Sequence, residues 1–455
     1  METKRERLER LFSKLEQQGG MSGVFLAAEQ GEIIYQAAFG EADLATGRQI
    51  TTGSVFDLAS LAKPFTAAGI MVLAEEGKLG YDDPVTQWLP ELPYPGITVR
   101  QLLCHTSGLP DFMELFFERW DRKRIATNAD VLAMLAEHRP PVYFEPNESW
   151  LYSNTGYVLL AMIIERSSGR TFADFMRERV FLPSGMNASR IYSRRLEGET
   201  VDDYAYGYVY DHHSSRYELP DLVPETNFAV FLDGIQGDGA MSSTVHDLLA
   251  FDRALQEGRL VNGSSLEQAY APVRLNYGET FDYGFGWFVE EDKEEKGRVV
   301  SHSGGWPGYA SILIRYLEAD MTMIYLRNRE QDVEFEQKVI EAAEQILFDQ
   351  PYEIPQRPLE KQMAAVDTDL YNRYAGLYQQ EDGGDTLMSV SIEDGRLYLQ
   401  VAGKVRVELY PASDTRFFVR MIPVEVKFVV EAGTERAEKM VIVQDGYETP
   451  AVRIQ

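Results

Sequence analysis

The start of the chain carries a helical pattern followed by the pattern of a strand pair. One face of a predicted helix carries four apolar residues, Leu8, Leu11, Phe12 and Leu15. Two runs rich in apolar residues, 24–28 and 33–35, then flank the turn sequence Glu-Gln-Gly at 29–31. The pattern therefore predicts an N-terminal helix and a β-hairpin.

In the next long region, the spacing of apolar residues is mostly that of α-helices. From about residue 60 to about residue 186, apolar residues recur at helical intervals, for example over 130–136 and 157–166. Loops rich in proline and glycine interrupt these stretches. The region is therefore predicted to be a block of helices inserted after the hairpin.

Strand character returns in the last part of this region. Three short runs at 299–301, 312–314 and 323–326 have the composition of strands, and a helical run over about 334–347 follows them. Together with the N-terminal hairpin, these runs predict one sheet whose strands come from both ends of the region.

A proline-rich segment marks the boundary of a second domain. Three prolines, Pro351, Pro355 and Pro358, prevent the preceding helix from continuing and stiffen the chain. We therefore predict a first domain over 1–348, a linker over 349–362 and a second domain over 363–455.

Short strands alternate with turns throughout the second domain. The candidate strands are 397–399, 405–409, 417–419 and 424–428. Many short strands in so small a domain predict a small β-barrel or sandwich.

Length, composition and charge agree with a two-domain globular protein. A chain of 455 residues is too long for one ordinary core, and 44% hydrophobic residues are enough to form two. The 44 Lys and Arg against 72 Asp and Glu give a net charge of −28, which would repel phosphate backbones. We therefore expect no nucleic-acid partner. The single cysteine, Cys104, excludes an intrachain disulfide and is predicted to be a small core residue.

The sequence shows no pattern of export or membrane insertion. Residues 1–20 are charged throughout and lack the apolar run of a secretory signal. The longest apolar stretch, 158–164, is far shorter than the roughly 20 residues that span a bilayer. We therefore expect a soluble, cytoplasmic protein without a transmembrane segment. Peripheral association with a membrane and the oligomeric state stay open.

Ser60 and Lys63 form the first candidate catalytic pair. In Ser-Leu-Ala-Lys at 60–63, the hydroxyl and the amine fall on one face of a helix. Pro64 is tolerated in a first helical turn, so a helix is expected to begin close to Ser60 and to direct its N–H groups at the hydroxyl. Lys63 could accept the serine proton if its amine were neutral. A lone Ser-x-x-Lys is weak evidence, because roughly one match arises by chance in such a chain.

Two further motifs follow in the chain. Tyr152 and Asn154, in the stretch Trp-Leu-Tyr-Ser-Asn-Thr-Gly-Tyr, offer a phenol that can relay protons and an amide that can hold a carbonyl. His-Ser-Gly-Gly at 302–305 ends a predicted strand, where glycines let the backbone approach a ligand and leave an N–H for an oxyanion hole. Each motif alone could be an ordinary turn, cap or hairpin, but three in this order are much stronger evidence.

The ordered motifs Ser-x-x-Lys, Tyr-x-Asn and His-x-Gly resemble those of the penicillin-recognising serine hydrolases. The Tyr-x-Asn form is similar to class C β-lactamases, D,D-peptidases, D-aminopeptidases and related carboxylesterases. Further stretches that resemble the family lie at 56–67 around Ser60, 102–112, 237–251 and 283–287. The resemblance covers about residues 5–347, and similarity to penicillin-binding proteins of Bacillus extends it over the C-terminal domain.

This resemblance implies the fold and the roles of the site residues. The implied fold is α+β, of the β-lactamase/transpeptidase type, with an antiparallel sheet, a helical subdomain and a C-terminal all-β, lipocalin-like domain. Ser60 would attack the acyl carbon, Lys63 and Tyr152 would share the base and acid steps, and the N–H groups of Ser60 and Gly305 would form the oxyanion hole. The residues implied for substrate binding are Asn154, His302, Ser303, Gly304 and Gly305. His302 and Ser303 would meet a substrate carboxylate.

The function implied is acyl transfer without a cofactor from D-amino-acid peptides of the cell-wall type, as a D,D-carboxypeptidase, endopeptidase or D-aminopeptidase. β-Lactams would acylate the same serine. Typical β-lactamases carry lysine where this chain has His302, and a histidine is mostly neutral near pH 7, which favours peptidase or esterase action. The alternatives are a carboxylesterase, a weak β-lactamase, or a receptor that is acylated without turnover.

The remaining histidines do not indicate a metal site. His212, His213 and His246 have no carboxylate or cysteine at ligand spacing, so we predict no metal. His105, in a loop bounded by Gly and Pro, is predicted to brace that loop by a hydrogen bond rather than to catalyse.

Overall fold

The fold is known from a computed structural model, which describes residues 2–292, 296–330, 332–358, 361–381, 386–402, 406–420, 424–430, 434–444 and 446–455. The α-helices are α1 Lys4–Gln17, α2 Lys63–Glu75, α3 Val99–Leu103, α4 Phe112–Arg119, α5 Asn128–His138, α6 Asn154–Ser168, α7 Phe172–Met176, α8 Leu182–Ser184, α9 Arg194–Glu197, α10 Phe228–Phe231, α11 Val245–Gln256, α12 Gly263–Ala269 and α13 Val333–Leu347. Short 3-10 helices span Ala59–Ala62, Val85–Gln87, Pro220–Leu222 and Thr368–Arg373, and a π-helical turn spans Arg177–Phe181.

The strands fall into a first group before residue 330 and a second group after residue 375. The first group is β1 Gly23–Glu29, β2 Glu32–Phe39, β3 Glu41–Asp43, β4 Arg48–Gln49, β5 Phe56–Asp57, β6 Arg190–Ile191, β7 Val209–Asp211, β8 Arg216–Glu218, β9 Met241–Ser243, β10 Val273–Arg274, β11 Thr280–Phe281, β12 Phe288–Glu290, β13 Val299–Trp306, β14 Tyr309–Tyr316 and β15 Met321–Arg327. The second group is β16 Gly376–Gln380, β17 Leu387–Glu393, β18 Arg396–Val401, β19 Val407–Pro411, β20 Arg416–Phe418, β21 Val424–Val429, β22 Lys439–Gln444 and β23 Tyr447–Arg453.

The main sheet is antiparallel and is assembled from both ends of the first region, as the sequence predicts. Its six strands lie in the order β12-β13-β14-β15-β1-β2. The N-terminal hairpin joins the later strands where β1 pairs with β15, from Val24 opposite Leu326 to Glu29 opposite Met321. The predicted α+β class is therefore confirmed.

The two faces of this sheet are buried against different helices. Side chains alternate along β1, so Val24 and Leu26 contribute to the core on the helical side, while Phe25 contributes to the core beneath α1 and α13. The four apolar residues predicted on one face of α1 are all buried. Helix α6 buries every residue from Thr155 to Ile164, as expected for a helix inside the inserted block.

The C-terminal strands close into an eight-stranded antiparallel barrel, β16 to β23. The pair Tyr378–Arg453 joins the last strand to the first. Aromatic rings fill the interior, where Tyr374 stacks on Phe428 with 4.5 Å between ring centres. The barrel alternative of the sequence analysis is therefore correct. The domain bounds 1–348, 349–362 and 363–455 stay a prediction; residues 359–360 of the linker and Val405 of the strand predicted at 405–409 lie outside the described residues.

The barrel packs against the β7–β8 hairpin of the first region. The His212 ring contacts Tyr410 and Phe418 of the barrel, with ring centres 4.8 and 5.0 Å apart. The Arg420 guanidinium makes an ion pair of 2.7 Å with Glu330. These contacts join the barrel to the β7–β8 hairpin and to Glu330, which follows β15.

A buried carboxyl, Glu408, lies in the same interface. Its Oε1 is 2.7 Å from His213 Nε2, and its Oε2 is 3.3 Å from Arg396 Nη1. The Glu408 side chain is only 3% exposed. Burial and the neighbouring Glu225 carboxyl raise the pKa of Glu408 to about 8, against the opposing effect of Arg396.

Because of this raised pKa, the stability of the fold should depend on pH, and one substitution should weaken that dependence. A carboxyl of this kind stabilises the fold below its ordinary pKa of 4.5, and the stabilisation is lost as the pH rises through about 8. In Glu408→Gln, the free energy of unfolding should therefore fall less across this window than in the unmutated protein. Urea unfolding at several pH values measures the effect. Glu425→Gln, at an exposed barrel position, is the control, and an equal fall in Glu408→Gln and the unmutated protein would contradict the prediction.

Among the residues that the structure describes, no helix is both long and apolar enough to cross a membrane.

Candidate active site

Ser60 lies in a tight turn just before a buried helix. Ala59–Ala62 form a 3-10 turn, and α2 begins only at Lys63. Ala59 has a φ of +49°, which is unusual for a residue with a side chain. The Asp57 carboxylate stabilises this conformation, because it accepts a hydrogen bond from the Ala59 N–H at 2.7 Å. The helix expected close to Ser60 is therefore a 3-10 turn followed by an α-helix.

The Lys63 amine is buried beside the Ser60 hydroxyl. Lys63 is 0% exposed, and its Nζ lies 3.0 Å from Ser60 Oγ. The same nitrogen donates to Asn154 Oδ1 and to the Asp238 carbonyl oxygen, at 2.9 Å each. These acceptors fix the end of a side chain that is otherwise flexible. The predicted hydrogen-bonding reach between Ser60 and Lys63 is confirmed.

The start of α6 places Tyr152 and Asn154. Ser153 caps this helix, its Oγ accepting a backbone N–H of the first turn at 3.2 Å. Asn154 is the first helical residue and directs its amide oxygen at Lys63. Lys63 Nζ lies 4.9 Å from the centre of the Tyr152 ring, and within the described residues the Tyr152 hydroxyl makes no hydrogen bond to Ser60 or Lys63.

Strand β13 passes close to the Ser60 turn because Gly304 has no side chain. A Cβ on Gly304 would lie 2.1 Å from the Leu58 carbonyl oxygen and 2.5 Å from Ser311 Oγ. Ser311 Oγ in turn donates to the same Leu58 oxygen at 2.6 Å. At the next residue, Gly305, a Cβ would meet no atom within 4 Å. The two glycines of the predicted motif therefore have different roles in packing.

His302 points away from the open part of the site. Its ring is 1% exposed, with Nε2 at 3.1 Å from the Tyr283 hydroxyl and Nδ1 at 2.7 Å from the Ser303 carbonyl oxygen. Burial, together with the Lys63 charge, lowers the pKa of His302 to about 3, so the ring is neutral. The sequence led us to expect contact between His302 and a substrate carboxylate; the ring is instead buried and its nitrogens are occupied. Ser303, by contrast, is exposed.

His105 braces the loop next to this site. Its Nδ1 accepts a hydrogen bond from the Ser153 N–H at 3.0 Å, and its ring centre lies 4.3 Å from that of Tyr152. Burial, with the Lys63 charge, lowers the pKa of His105 well below its usual range. The predicted bracing hydrogen bond is confirmed.

A cleft of about 910 Å³ opens above Ser60. Ser60, Asn154, Ser303, Gly304 and Gly305 all line it. Apolar side chains form another part of its wall: Phe112, Met113, Phe228, Leu232 and Ile235. The structure thus brings five of the eight predicted site residues to one cavity, with Lys63 buried beside it.

The sequence analysis missed three residues of this site. Asp57 supports the Ser60 turn, Tyr283 contacts His302, and the Asp238 carbonyl oxygen binds Lys63. Asp238 and Tyr283 both lie in stretches that had already been noted, 237–251 and 283–287. Asp57 lies in the stretch 56–67 that resembles the family around Ser60, but its contact with the Ala59 N–H was not predicted.

The other histidines do not come together. His246 Nε2 contacts Gln36 Oε1 at 2.8 Å, far along the chain from the barrel contacts of His212 and His213. Within the described ranges, no group of three or more His, Cys, Asp or Glu side chains is placed to hold a metal ion.

Comparison with known proteins agrees with this geometry. The sequence profile of the β-lactamase family matches residues 8–348. The chain is 53% identical over 452 residues to penicillin-binding protein 4* of Bacillus subtilis (strain 168), covering 99% of both chains. It is 26% identical over 318 residues to a D-aminopeptidase of Cereibacter sphaeroides, covering 69% of this chain and 57% of that one.

The fold is also that of a solved relative. The crystal structure of a penicillin-binding protein from Bacillus halodurans superposes with a TM-score of 0.63 at 25% identity, over 74% of this chain and 98% of that one. The resemblance drawn from three short motifs is therefore confirmed by the family match, a full-length relative and a solved structure. The chain therefore belongs to the β-lactamase family of serine hydrolases, and its Ser60 and Lys63 are paired at the floor of the cleft.

Proposed function

We propose that Ser60 is the acylated nucleophile of a hydrolase that acts on D-amino-acid peptides of the cell-wall type and that β-lactams also acylate. The observation that carries this proposal is the 3.0 Å contact between Lys63 Nζ and Ser60 Oγ at the floor of the cleft. A serine hydroxyl is a weak nucleophile until an adjacent base takes its proton, and Lys63 in its neutral amine form would be placed to do so.

The proposed reaction has two acyl-transfer steps. Ser60 Oγ forms a bond to the carbonyl carbon while its proton passes toward Lys63. The bond to the leaving group then breaks, and the leaving group takes up a proton from Lys63 or Tyr152. Water hydrolyses the resulting ester and restores the serine. Which of Lys63 and Tyr152 is the general base stays open, although Lys63 alone contacts Ser60 in this structure.

The other predicted residues would bind and polarise the substrate. We expect the N–H groups of Ser60 and Gly305 to hold the developing oxyanion, since both residues line the cleft. Asn154 would orient Lys63 as well as the substrate, because its amide oxygen already accepts from Nζ. Ser303 is exposed to the cleft and can hydrogen-bond a substrate polar group.

The names of the relatives support the substrate class. One is a penicillin-binding protein and another a D-aminopeptidase. Carboxypeptidase action, a peptidoglycan fragment as the natural substrate and action in the cytoplasm are finer expectations that stay predictions. A carboxylesterase is the second candidate, favoured by the neutral, buried His302 where a substrate carboxylate was expected to bind.

A substrate panel tests the proposal. The protein is incubated with D-alanyl-D-alanine peptides, D-amino-acid p-nitroanilides, p-nitrophenyl esters and benzylpenicillin, and product release is followed. Cleavage of D-peptides or D-anilides is the expected result. Turnover of esters alone would identify a carboxylesterase instead, rapid penicilloate release a β-lactamase, and acylation without any product a receptor.

A further inference from the structure

The cleft contains few cations that could bind a substrate carboxylate. Among the described residues that line it, the two arginines are already paired: Arg327 with Glu336, and Arg329 with Glu41 at 3.0 Å. The amine of Lys63 is fully buried and donates to three oxygens.

His302 cannot supply a positive charge for a substrate carboxylate either. Its pKa is lowered to about 3 by burial and by Lys63, and both ring nitrogens are engaged. A neutral, enclosed imidazole cannot form an ion pair with a carboxylate that enters the cleft. Among the described residues of the cleft, a free C-terminal carboxylate therefore has no unpaired cation to bind.

Asp238 gives the same cleft an available negative charge. It lines the cavity, and its own carbonyl oxygen accepts from Lys63, which places it next to the Ser60 hydroxyl. No cation lies within ion-pair distance of its carboxylate in the part of the chain that the structure describes. Burial raises the pKa of Asp238 to about 6, against the opposing charge of Lys63.

The other carboxylates at this end of the cleft are already engaged. Asp233 makes an ion pair of 2.7 Å with Arg195 and also accepts the Arg195 N–H at 2.6 Å. Asp57 accepts from the Ala59 N–H. Asp238 likewise accepts backbone hydrogen bonds, from its own N–H and from that of Gly239, but unlike Asp233 it has no ion-pair partner among the described residues.

An apolar wall lies in the same cleft. It consists of Phe112, Met113, Phe228, Leu232 and Ile235. A wall of this composition accepts an aliphatic or aromatic side chain and excludes water from it.

From these observations we infer that Asp238 binds the free α-ammonium group of the substrate, so that the enzyme prefers amides and esters of unblocked, apolar amino acids over substrates that present a free carboxylate. This inference rests on the proposed function and narrows it from carboxypeptidase toward aminopeptidase action. The apolar wall would hold the side chain of the same residue, and Ser60 would attack its carbonyl carbon.

The test compares D-phenylalanine p-nitroanilide with its N-acetyl form, in the unmutated protein and in Asp238→Asn. The unmutated protein should show a kcat/KM about 10- to 100-fold higher for the free amine, the range that a charged hydrogen bond supplies. In Asp238→Asn, this ratio should fall to near one. The ratio is the readout because a general loss of activity lowers both rates together.

Asp233→Asn is the matched control, since its carboxylate also lines the cleft but is held by Arg195; its ratio should match that of the unmutated protein. Equal kcat/KM for the two anilides in the unmutated protein would overturn the inference, as would an unchanged ratio in Asp238→Asn. Either result would leave the proposed function intact provided that benzylpenicillin still acylates Ser60. Loss of both anilide turnover and acylation in the unmutated protein would instead reject the proposed function.

Discussion

Replacing Lys63 with methionine should slow acylation of Ser60 by roughly 1,000-fold, the range in which a positioned general base contributes. Methionine keeps an unbranched side chain, one heavy atom shorter than that of lysine, but removes the amine that contacts Ser60 Oγ at 3.0 Å. Among the described residues, no other side chain is hydrogen-bonded to the Ser60 hydroxyl to take its proton. Stopped-flow acylation by a chromogenic β-lactam, or its single-turnover equivalent with an activated ester, measures the effect.

Two controls separate chemistry from folding in this experiment. Lys78→Met changes a partly exposed lysine paired with Glu76, and it should acylate like the unmutated protein. Circular dichroism and thermal unfolding of Lys63→Met report whether the loss of three hydrogen bonds has altered the fold. A folded Lys63→Met protein that acylates within tenfold of the unmutated rate would show that Lys63 is not the base.

Gly304→Ala should reduce acylation by about 100-fold or more, the cost of losing one oxyanion-hole donor. The added methyl would lie 2.1 Å from the Leu58 carbonyl oxygen and 2.8 Å from the Leu61 N–H. The strand and the Ser60 turn must therefore separate, which displaces the N–H groups on both sides of the reacting carbonyl. Overpacking of this kind also costs about 1–3 kcal/mol of stability.

The neighbouring glycine is a matched control. A methyl on Gly305 would meet no atom within 4 Å, and alanine retains the backbone N–H that the mechanism requires. Gly305→Ala should therefore keep most of the acylation rate, measured in parallel with the same β-lactam. If Gly304→Ala and Gly305→Ala lost the same fraction of the acylation rate, the close contact at Gly304 would not be the cause of the loss.

The parts of the fold that follow from local pattern could be predicted from the sequence. The apolar face of α1, the N-terminal hairpin and the late strands have periods of 3.6 and 2 that identify them without tertiary information. Their assembly into one sheet was also predictable, because strands at both ends of the helical block need partners. The closed form of the C-terminal domain did not follow from the strand pattern, since short alternating strands suit a barrel and a sandwich equally; the family resemblance alone implied a lipocalin-like barrel.

Only those contacts within the site that follow from the spacing of residues in a short motif could be predicted from the sequence. Ser60 and Lys63 are three residues apart, so a helical turn alone brings them together. The burial of His302 depends on Tyr283 and on the alternation of β13, and no short motif encodes which face of a strand is enclosed. The hydrogen bond from Lys63 to the Asp238 carbonyl oxygen joins positions 175 residues apart. Because the acceptor is a backbone atom, the identity of residue 238 could not have predicted this contact.

The central claim, that Ser60 becomes acylated, is tested most directly by intact-mass measurement over time. The unmutated protein and Ser60→Ala are each incubated with a labelled penicillin, and the modified peptide is mapped. The account predicts one adduct per chain in the unmutated protein, located on Ser60, and none in Ser60→Ala. An adduct of equal yield in Ser60→Ala, or no adduct in the unmutated protein with either penicillin or an activated ester, would contradict it.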